Sequence, residues 1–161
     1  MNLTKLFDMQ KELDRFIQSK QGLEGDLFRQ KGLALLVELA ELANETRCFK
    51  FWSTKGPSER SVILEEYVDS IHFLLSLGIE SNLNMLEEWP DPAPEEDLTE
   101  LFLKTQQVIH QFLDSHSMSD YQAVWSWYGA IAAQLDFSYD DVLDAYLEKN
   151  QKNYDRQREG Y

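Results

Sequence analysis

The sequence predicts an all-α fold, a compact bundle of about six helices, and three observations support this. The apolar residues recur at spacings of three and four rather than two, which is the helical period. The seven glycines and four prolines lie almost entirely between these periodic segments, where a chain turns. With 43% hydrophobic and 12% aromatic side chains among 161 residues, the chain has enough apolar material for the core of one domain. We therefore expect residues 1–161 to form a single domain.

The first predicted helix carries a polar residue among its apolar ones. The six helices are expected near residues 3–18, 27–45, 58–77, 97–115, 119–135 and 138–154. In the first, Gln10 comes four residues after Leu6 and three before Leu13, so it falls on the same apolar stripe. One amide side chain should therefore face the core.

The second and third helices are more apolar than half-exposed helices usually are. Residues 33–43 are apolar nearly all the way round, a pattern typical of a buried helix. The third helix opens after Gly56 and Pro57, which is a good start signal, and it is also rich in apolar residues. The acidic residues in these two helices are therefore not explained as a solvated face.

The second half of the chain combines an acidic loop, three ordinary helices and a polar end. Residues 87–97 are rich in proline and cannot continue a helix. The fourth and fifth helices are amphipathic, and Ser138 with Asp141 three residues later predicts a capped start for the sixth. Residues 149–161 turn polar and locally basic, so we expect either a frayed end or a mobile lid that folds over a functional site.

The net charge excludes several classes of partner. The chain has 29 acidic and 15 basic side chains, a formal net charge of −14, which repels the phosphates of nucleic acids and anionic lipids. No stretch approaches the ~20 consecutive apolar residues that span a bilayer. The lone cysteine, Cys48, cannot form an internal disulfide, and the first residues lack the apolar run of a signal peptide. We expect a cytoplasmic protein that binds neither nucleic acid nor membrane.

Two pairs of acidic residues form the strongest candidate site. Glu38 and Glu41 are three residues apart, as are Glu66 and Asp69, so each pair projects from one face of its helix. If the two helices pack side by side, four carboxylates meet in an apolar setting that requires a neutralising cation. All-oxygen ligands select hard ions, Mg²⁺ first and Mn²⁺ second. Glu65, four residues before Asp69, is an alternative to Glu66 in the second pair.

The presence of two such pairs on successive apolar helices is what favours a metal site, because one pair alone is far more often a solvated face. A di-iron bundle would need a Glu-x-x-His pair on each of two helices. Asp69 with His72 supplies only one imperfect half, so we interpret His72 as a core residue or a neighbour of the ligands. His110 and His116 lie on a helix without matching acids and are interpreted as surface or core-edge residues.

Residues 47–55 form the most concentrated basic and aromatic segment of the chain. The cations, which include Lys50, suit a polyphosphate if they lie beside an acidic metal site, and Trp52 suits stacking on a nucleobase. The plainer interpretation is a hydrophobic plug in a loop with flanking lysines. The neighbouring acidic pairs favour the first interpretation.

Several motifs together carry a resemblance to a known family. The two carboxylate pairs, with 24 residues between Glu41 and Glu66, are similar to the paired metal motif of the all-α nucleotide pyrophosphohydrolases. The segments 49–53, 68–78 and 153–161 resemble, within that superfamily, the dimeric dUTP diphosphatases. With Met9 and Gln10 near the start, the resemblance reaches from end to end of the chain.

This resemblance implies an enzyme that hydrolyses dUTP, and often also dUDP, to dUMP with release of pyrophosphate or phosphate. Mg²⁺ held by Glu38, Glu41, Glu66 and Asp69 would activate the attacking water, with Glu38 as the general base and Glu41 as the alternative. Relatives with these motifs work as homodimers, so a homodimer with a shared site is also implied.

The resemblance extends to residues that contact the nucleotide. Gln10 and Trp52 would form part of the uracil pocket, while His72 and Phe73 would touch the deoxyribose. The phosphate and nucleotide contacts that it implies are Lys50, Lys149, Asn153, Arg156 and Tyr161.

Two other functions stay open on the sequence alone. An enzyme of the same superfamily could prefer dCTP, accept both pyrimidines or have a broad housecleaning range, since an amide such as Gln10 presents either a donor or an acceptor to a base. Outside the enzymes, the alternative is a non-catalytic acidic helical bundle that serves as a binding module.

Overall fold

The computed structural model describes all residues, Met1–Tyr161, and is all-helical as predicted. Its six helices are α1 (Thr4–Gln21), α2 (Phe28–Thr46), α3 (Arg60–Glu80), α4 (Leu98–Ser115), α5 (Met118–Gln134) and α6 (Tyr139–Arg158). None of the six is both long and apolar enough to cross a lipid bilayer.

The predicted and observed helices differ mainly at their carboxyl ends. Helix α1 continues to Gln21 and is capped by Gly22, whose φ of 63° is the left-handed conformation that glycine tolerates best. Helix α6 begins with the predicted capping box of Ser138 and Asp141 and ends four residues later than predicted. Most of the segment 149–161 is therefore regular helix in this structure.

Helix α3 is central and packs against α1, α2 and α6, while α4 packs on α5 and α2. Tyrosines of α3 and α5 reach across to each other's backbone: the Tyr67 hydroxyl donates to the Tyr128 carbonyl, and the Tyr121 hydroxyl donates to the Leu74 carbonyl, both at 2.7 Å. The close approach requires Gly78, because a Cβ there would lie 2.2 Å from the Tyr121 hydroxyl oxygen. These contacts hold α3, which carries the second pair of acidic residues, against α5.

The acidic connector between α3 and α4 is a loop, as predicted, but the core anchors it. The backbone of Leu3 donates to the Glu87 carbonyl at 2.7 Å, and that of Trp89 donates to the Met1 carbonyl at 2.9 Å. The buried Trp89 indole donates to the Trp125 carbonyl at 2.8 Å. The loop thus belongs to the fold and holds the start of the chain.

The prediction that α2 is buried all round is wrong for a single chain. Leu35 and Leu39 are fully buried, but Leu33 is 63% exposed and Val37 is 47% exposed. The reason is geometric, because α3 and α4 cover only one side of the helix. Helix α2 therefore keeps an uncovered apolar stripe.

Candidate active site

Three of the four predicted metal ligands meet where α2 packs on α3. Carboxylate oxygens of Glu38, Glu66 and Asp69 all lie within 4.8 Å of one another. Helical spacing explains this, because residues three apart face the same way and the two helices are neighbours. The fourth, Glu41, is exposed at the edge of this carboxylate cluster and is close enough to act on Glu38 and Glu66.

Burial and mutual repulsion make the carboxylates of the cluster hard to ionise. Burial, followed by the nearness of Glu41 and Asp69, raises the pKa of Glu38 to about 8. Burial and the charge of Asp69 raise the pKa of Glu66 to about 7. One oxygen of Glu38 and one of Glu66, the Oε2 atoms, are buried without a hydrogen-bond partner. Buried all-oxygen donors with unused lone pairs fit a hard divalent cation.

The structure distinguishes the two glutamates proposed for the second pair. Glu66 lies in the carboxylate cluster, whereas Glu65 accepts a hydrogen bond from Lys149 at 3.0 Å, which lowers the pKa of Glu65. Lys149 also lies 3.1 Å from Asp69. Burial alone would lower the pKa of Lys149, but its bonds to the two carboxylates raise it above the ordinary value.

A cavity of about 340 Å³ opens beside the carboxylate cluster. The residues predicted for the site that line this cavity are Gln10, Glu38, Asp69, His72, Phe73, Lys149, Asn153, Arg156 and Tyr161. Helices α1 and α6 form two of its sides and contact each other, since the rings of Phe16 and Tyr154 are 5.0 Å apart. The Gln21 amide also donates to the Tyr161 carbonyl at 2.9 Å. The first and last helices of the chain thus build the cavity together with α3.

Two residues predicted to contact the nucleotide lie outside this cavity. Lys50 and Trp52 belong to the loop after α2, and Trp52 is 65% exposed. Phe51, which is 93% exposed, packs edge-on against the Trp52 ring at 5.1 Å. Arg47 holds the loop by donating to the Ser53 hydroxyl and the Lys55 carbonyl. Within one chain, no residue of this aromatic loop lines the cavity.

Gln10 is buried, as predicted, and belongs to a polar network. Its Oε1 accepts a hydrogen bond from the Tyr146 hydroxyl at 2.9 Å and lies 2.7 Å from Nδ1 of His72. Its Nε2 donates to Asp14 at 2.9 Å. His72 stacks on Tyr146 with ring centroids 4.3 Å apart, and burial lowers the pKa of His72 to about 3, so this imidazole is neutral.

Sequence reasoning missed the polar residues that support Gln10. Asp14 accepts from Ser76 at 2.6 Å and lies 3.7 Å from the Lys31 ammonium, which also contacts Glu80 at 2.7 Å. The available signal was that Asp14 follows Gln10 by four residues, on the same face of α1. Nothing in the sequence pointed to Lys31, Ser76 or Tyr146, because those contacts join residues far apart in the chain.

An all-α bundle with a carboxylate cluster at one side of a cavity, and with lysine and arginine around that cavity, defines a class of enzyme. It is suited to metal-assisted hydrolysis of a small phosphorylated substrate. The family model described as dUTPase matches residues 2–161, nearly the whole chain, and the chain therefore belongs to the dUTPase family of dUTP-hydrolysing enzymes. Enzymes of this all-α family generally depend on a divalent metal. Among curated proteins, none matches the sequence.

Proposed function

We propose that the protein is a Mg²⁺-dependent dUTP diphosphatase that converts dUTP to dUMP and pyrophosphate, and dUDP to dUMP and phosphate. The observation that carries this proposal is the carboxylate cluster, in which oxygens of Glu38, Glu66 and Asp69 lie within 4.8 Å beside the cavity. Oxygen-only donors suit Mg²⁺, with Mn²⁺ as a substitute.

Glu38, Glu41, Glu66 and Asp69 would hold the metal, and the two buried, unpartnered carboxylate oxygens support this assignment. Bound there, Mg²⁺ would neutralise phosphate charge and lower the pKa of the attacking water. Glu38 lines the cavity and is the residue we assign as general base, to take the proton of that water. Glu41, at the exposed edge of the cluster, is the alternative base.

The cations of α6 are suited to the phosphates. Lys149 is 9% exposed and lies beside the carboxylate cluster, and Arg156 lines the same cavity with its guanidinium 5.4 Å from the centre of the Tyr161 ring. Together with Asn153 they offer donors for the α- to γ-phosphates and would stabilise charge on the leaving pyrophosphate. Residues 149–161 would act as a lid over the site, and the exposed position of Tyr161 at the cavity edge supports this assignment.

The base and the sugar are assigned to other residues of the same cavity. Gln10 lines the cavity from α1 and would contact the uracil. His72 and Phe73 line the cavity from α3 and would contact the deoxyribose. His72 lies next to Gln10, since its Nδ1 is 2.7 Å from the Gln10 Oε1, which supports assigning base and sugar to neighbouring residues.

A homodimer would account for the apolar surface that one chain leaves uncovered. Leu33 and Val37 form the uncovered stripe of α2, and Phe51 and Trp52 are exposed just after that helix. Burial of exposed large apolar side chains favours association. A second chain would also provide the route by which Lys50 and Trp52 contact a nucleotide, namely the nucleotide in the partner's cavity.

Membership of an enzyme family favours catalysis over a non-catalytic binding module. It also favours dUTP over the dCTP-accepting or broad housecleaning ranges, although those belong to the same superfamily. The cytoplasm, where nucleotide pools are used, is the location we propose.

The test is release of pyrophosphate and monophosphate from dUTP, dCTP, dTTP, dATP and dGTP, with dUDP alongside, each with Mg²⁺ and with chelator. We expect fast, chelator-sensitive conversion of dUTP and dUDP and much slower conversion of the others. Glu66→Gln should abolish turnover, while Glu65→Gln, its neighbour outside the cluster, should keep most of it. Comparable rates on several bases would support the broad range, and chelator-resistant turnover would contradict the metal assignment.

A further inference from the structure

Asp14 is held so that one of its oxygens is left for Gln10. Its Oδ2 accepts from the Ser76 hydroxyl at 2.6 Å and lies 3.7 Å from the Lys31 ammonium. Lys31 and Asp14 are both largely buried, with 12% and 13% of their side chains exposed. The other oxygen, Oδ1, lies 2.9 Å from the amide of Gln10. A carboxylate paired with an ammonium group is an acceptor only, so this oxygen requires a donor.

This requirement decides which way round the Gln10 amide lies. Its nitrogen must face Asp14, and its oxygen must then face Tyr146 and His72. Neither of those two residues could impose the orientation, because a tyrosine hydroxyl donates or accepts and an imidazole nitrogen does either according to its tautomer. Among the three groups that contact the Gln10 amide, Asp14 alone has a fixed polarity.

With the amide in this orientation, little of its hydrogen-bonding capacity remains free. Both lone pairs of Oε1 are used, by Tyr146 and His72, and one N–H of Nε2 is used by Asp14. A single N–H is left on a residue that lines the cavity. A lone donor pairs with a carbonyl oxygen, such as the 4-oxo group of uracil, and leaves a 4-amino group of cytosine without an acceptor.

We propose that Asp14, held by Lys31, is a positioning residue that sets the base specificity of the enzyme by fixing the Gln10 amide as a donor. The inference rests on the proposed contact between Gln10 and the base. It adds that specificity for a 4-oxo pyrimidine depends on a carboxylate of the cavity lining that acts through the amide of Gln10.

The decisive variant is Asp14→Asn, because the new amide can donate to Gln10 and so permit the reversed orientation. We expect kcat/KM for dUTP to fall about tenfold or more, the effect of one lost or mispaired buried hydrogen bond, while dCTP loses less or gains. The dCTP-to-dUTP ratio of kcat/KM should therefore rise at least tenfold. Lys31 stays paired with Glu80 in this variant.

The matched control is Glu80→Gln, which makes the same change on the other carboxylate beside Lys31, outside the cavity lining. Its base ratio should equal that of the wild type. Tyr146→Phe removes a donor to Gln10 but leaves Asp14 in place, so it should keep the preference for dUTP even if it slows turnover. A changed dCTP-to-dUTP ratio in either of these two variants overturns the proposal. Both measurements still test it if Asp14→Asn fails to fold.

Gln10→Ala separates this inference from the proposed function. If it leaves kcat/KM for dUTP unchanged, Gln10 does not contact the base and the role of Asp14 is overturned, whereas dUTP hydrolysis itself stands. If it lowers kcat/KM for dUTP while folded Asp14→Asn keeps the wild-type base ratio, the contact stands and the role of Asp14 is wrong. A wild type that hydrolyses dCTP as fast as dUTP also overturns the role of Asp14, whereas dUTP hydrolysis itself stands.

Discussion

The ammonium group of Lys149 lies 3.1 Å from Oδ1 of Asp69, so α6 supplies a cation directly to the carboxylates of α3. The same ammonium lies 3.0 Å from Glu65. Even so, burial keeps the pKa of Asp69 above its usual range, since desolvation outweighs the nearby positive charge. The chain thus neutralises part of its own cluster with a group that we also assign to the phosphates.

Lys149→Gln should therefore change metal binding and turnover in opposite directions. Mg²⁺ binding in the absence of nucleotide should tighten a few-fold, because the competing positive charge is gone. Turnover of dUTP should fall in kcat/KM by about tenfold or more, the effect of losing a charge-assisted hydrogen bond. Calorimetric titration with Mg²⁺ and steady-state kinetics measure the two effects. Lys152→Gln, an exposed lysine that contacts only Glu65, is the control, and weaker Mg²⁺ binding by Lys149→Gln would contradict the interpretation.

Glu66→Gln should stabilise the metal-free protein. Burial and the neighbouring carboxylates raise the pKa of Glu66 to about 7. The substitution removes this carboxylate, so repulsion in the cluster is relieved. We expect a Tm higher by a few degrees with chelator, and loss of the increase in Tm that Mg²⁺ gives the wild type. Glu65→Gln breaks a contact with Lys149 instead and should not raise Tm. A metal-free Tm below that of the wild type would argue against crowded charge.

The stability of the metal-free protein should fall as pH rises from about 6.5 to 8. Glu38 has a pKa of about 8 in the folded protein, against 4.5 as its ordinary value, so the folded state binds the proton more tightly. The stabilisation by that proton is complete below pH 4.5 and is lost as pH rises through the folded pKa. His72, whose pKa is lowered, acts in the other direction but only below about pH 6.5. Urea unfolding with chelator measures this, and Glu38→Gln should flatten the dependence.

Gly78→Ala should destabilise the fold. Its Cβ would lie 2.2 Å from the Tyr121 hydroxyl, which is buried and donates to the Leu74 carbonyl, so α3 and α5 would have to separate. A cost of about 1–3 kcal/mol in the free energy of unfolding is expected, as for other overpacked cores. Gly32→Ala is the comparison, because the atoms nearest its Cβ are the flexible end of Leu113. Equal losses in the two variants would show that the tyrosine can move.

Val37→Glu should separate the proposed homodimer into monomers. Val37 is exposed beside Leu33 on the uncovered stripe of α2, and a charge there opposes burial against a second chain. Sedimentation should show a monomer. Circular dichroism should show unchanged helical content, because the substitution lies outside the core. Gln122→Glu, at an exposed position of α5, adds the same charge outside α2 and should stay dimeric. A wild type that sediments as a monomer would refute the dimer itself.

The features that the sequence predicted are those that depend on helical spacing. The six helices follow from apolar periodicity, and the meeting of Glu38, Glu66 and Asp69 follows from two pairs at a spacing of three on adjacent helices. The inward position of Gln10 follows from its place between Leu6 and Leu13.

The features that it could not predict depend on contacts between distant parts of the chain. Lys31 reaches Asp14 because α1 and α2 both pack on α3, and Tyr146 reaches Gln10 from 136 residues away. The choice between Glu65 and Glu66 depends on where Lys149 arrives from α6. The exposure of Leu33 was hidden because hydropathy alone does not tell whether a neighbouring helix or a second chain covers a face.

The contact between α1 and α6, the first and last helices, has a consequence for how the enzyme is made. A ribosome synthesises the carboxylates of α2 and α3 well before it reaches Tyr146 and Lys149, and α6 closes the cavity against α1 only after it has itself been made. A nascent chain that stops before α6 would carry the acidic cluster without its internal cation. Activity should therefore require the synthesis of α6, and chains that stop before it should be unable to hydrolyse the cell's nucleotides.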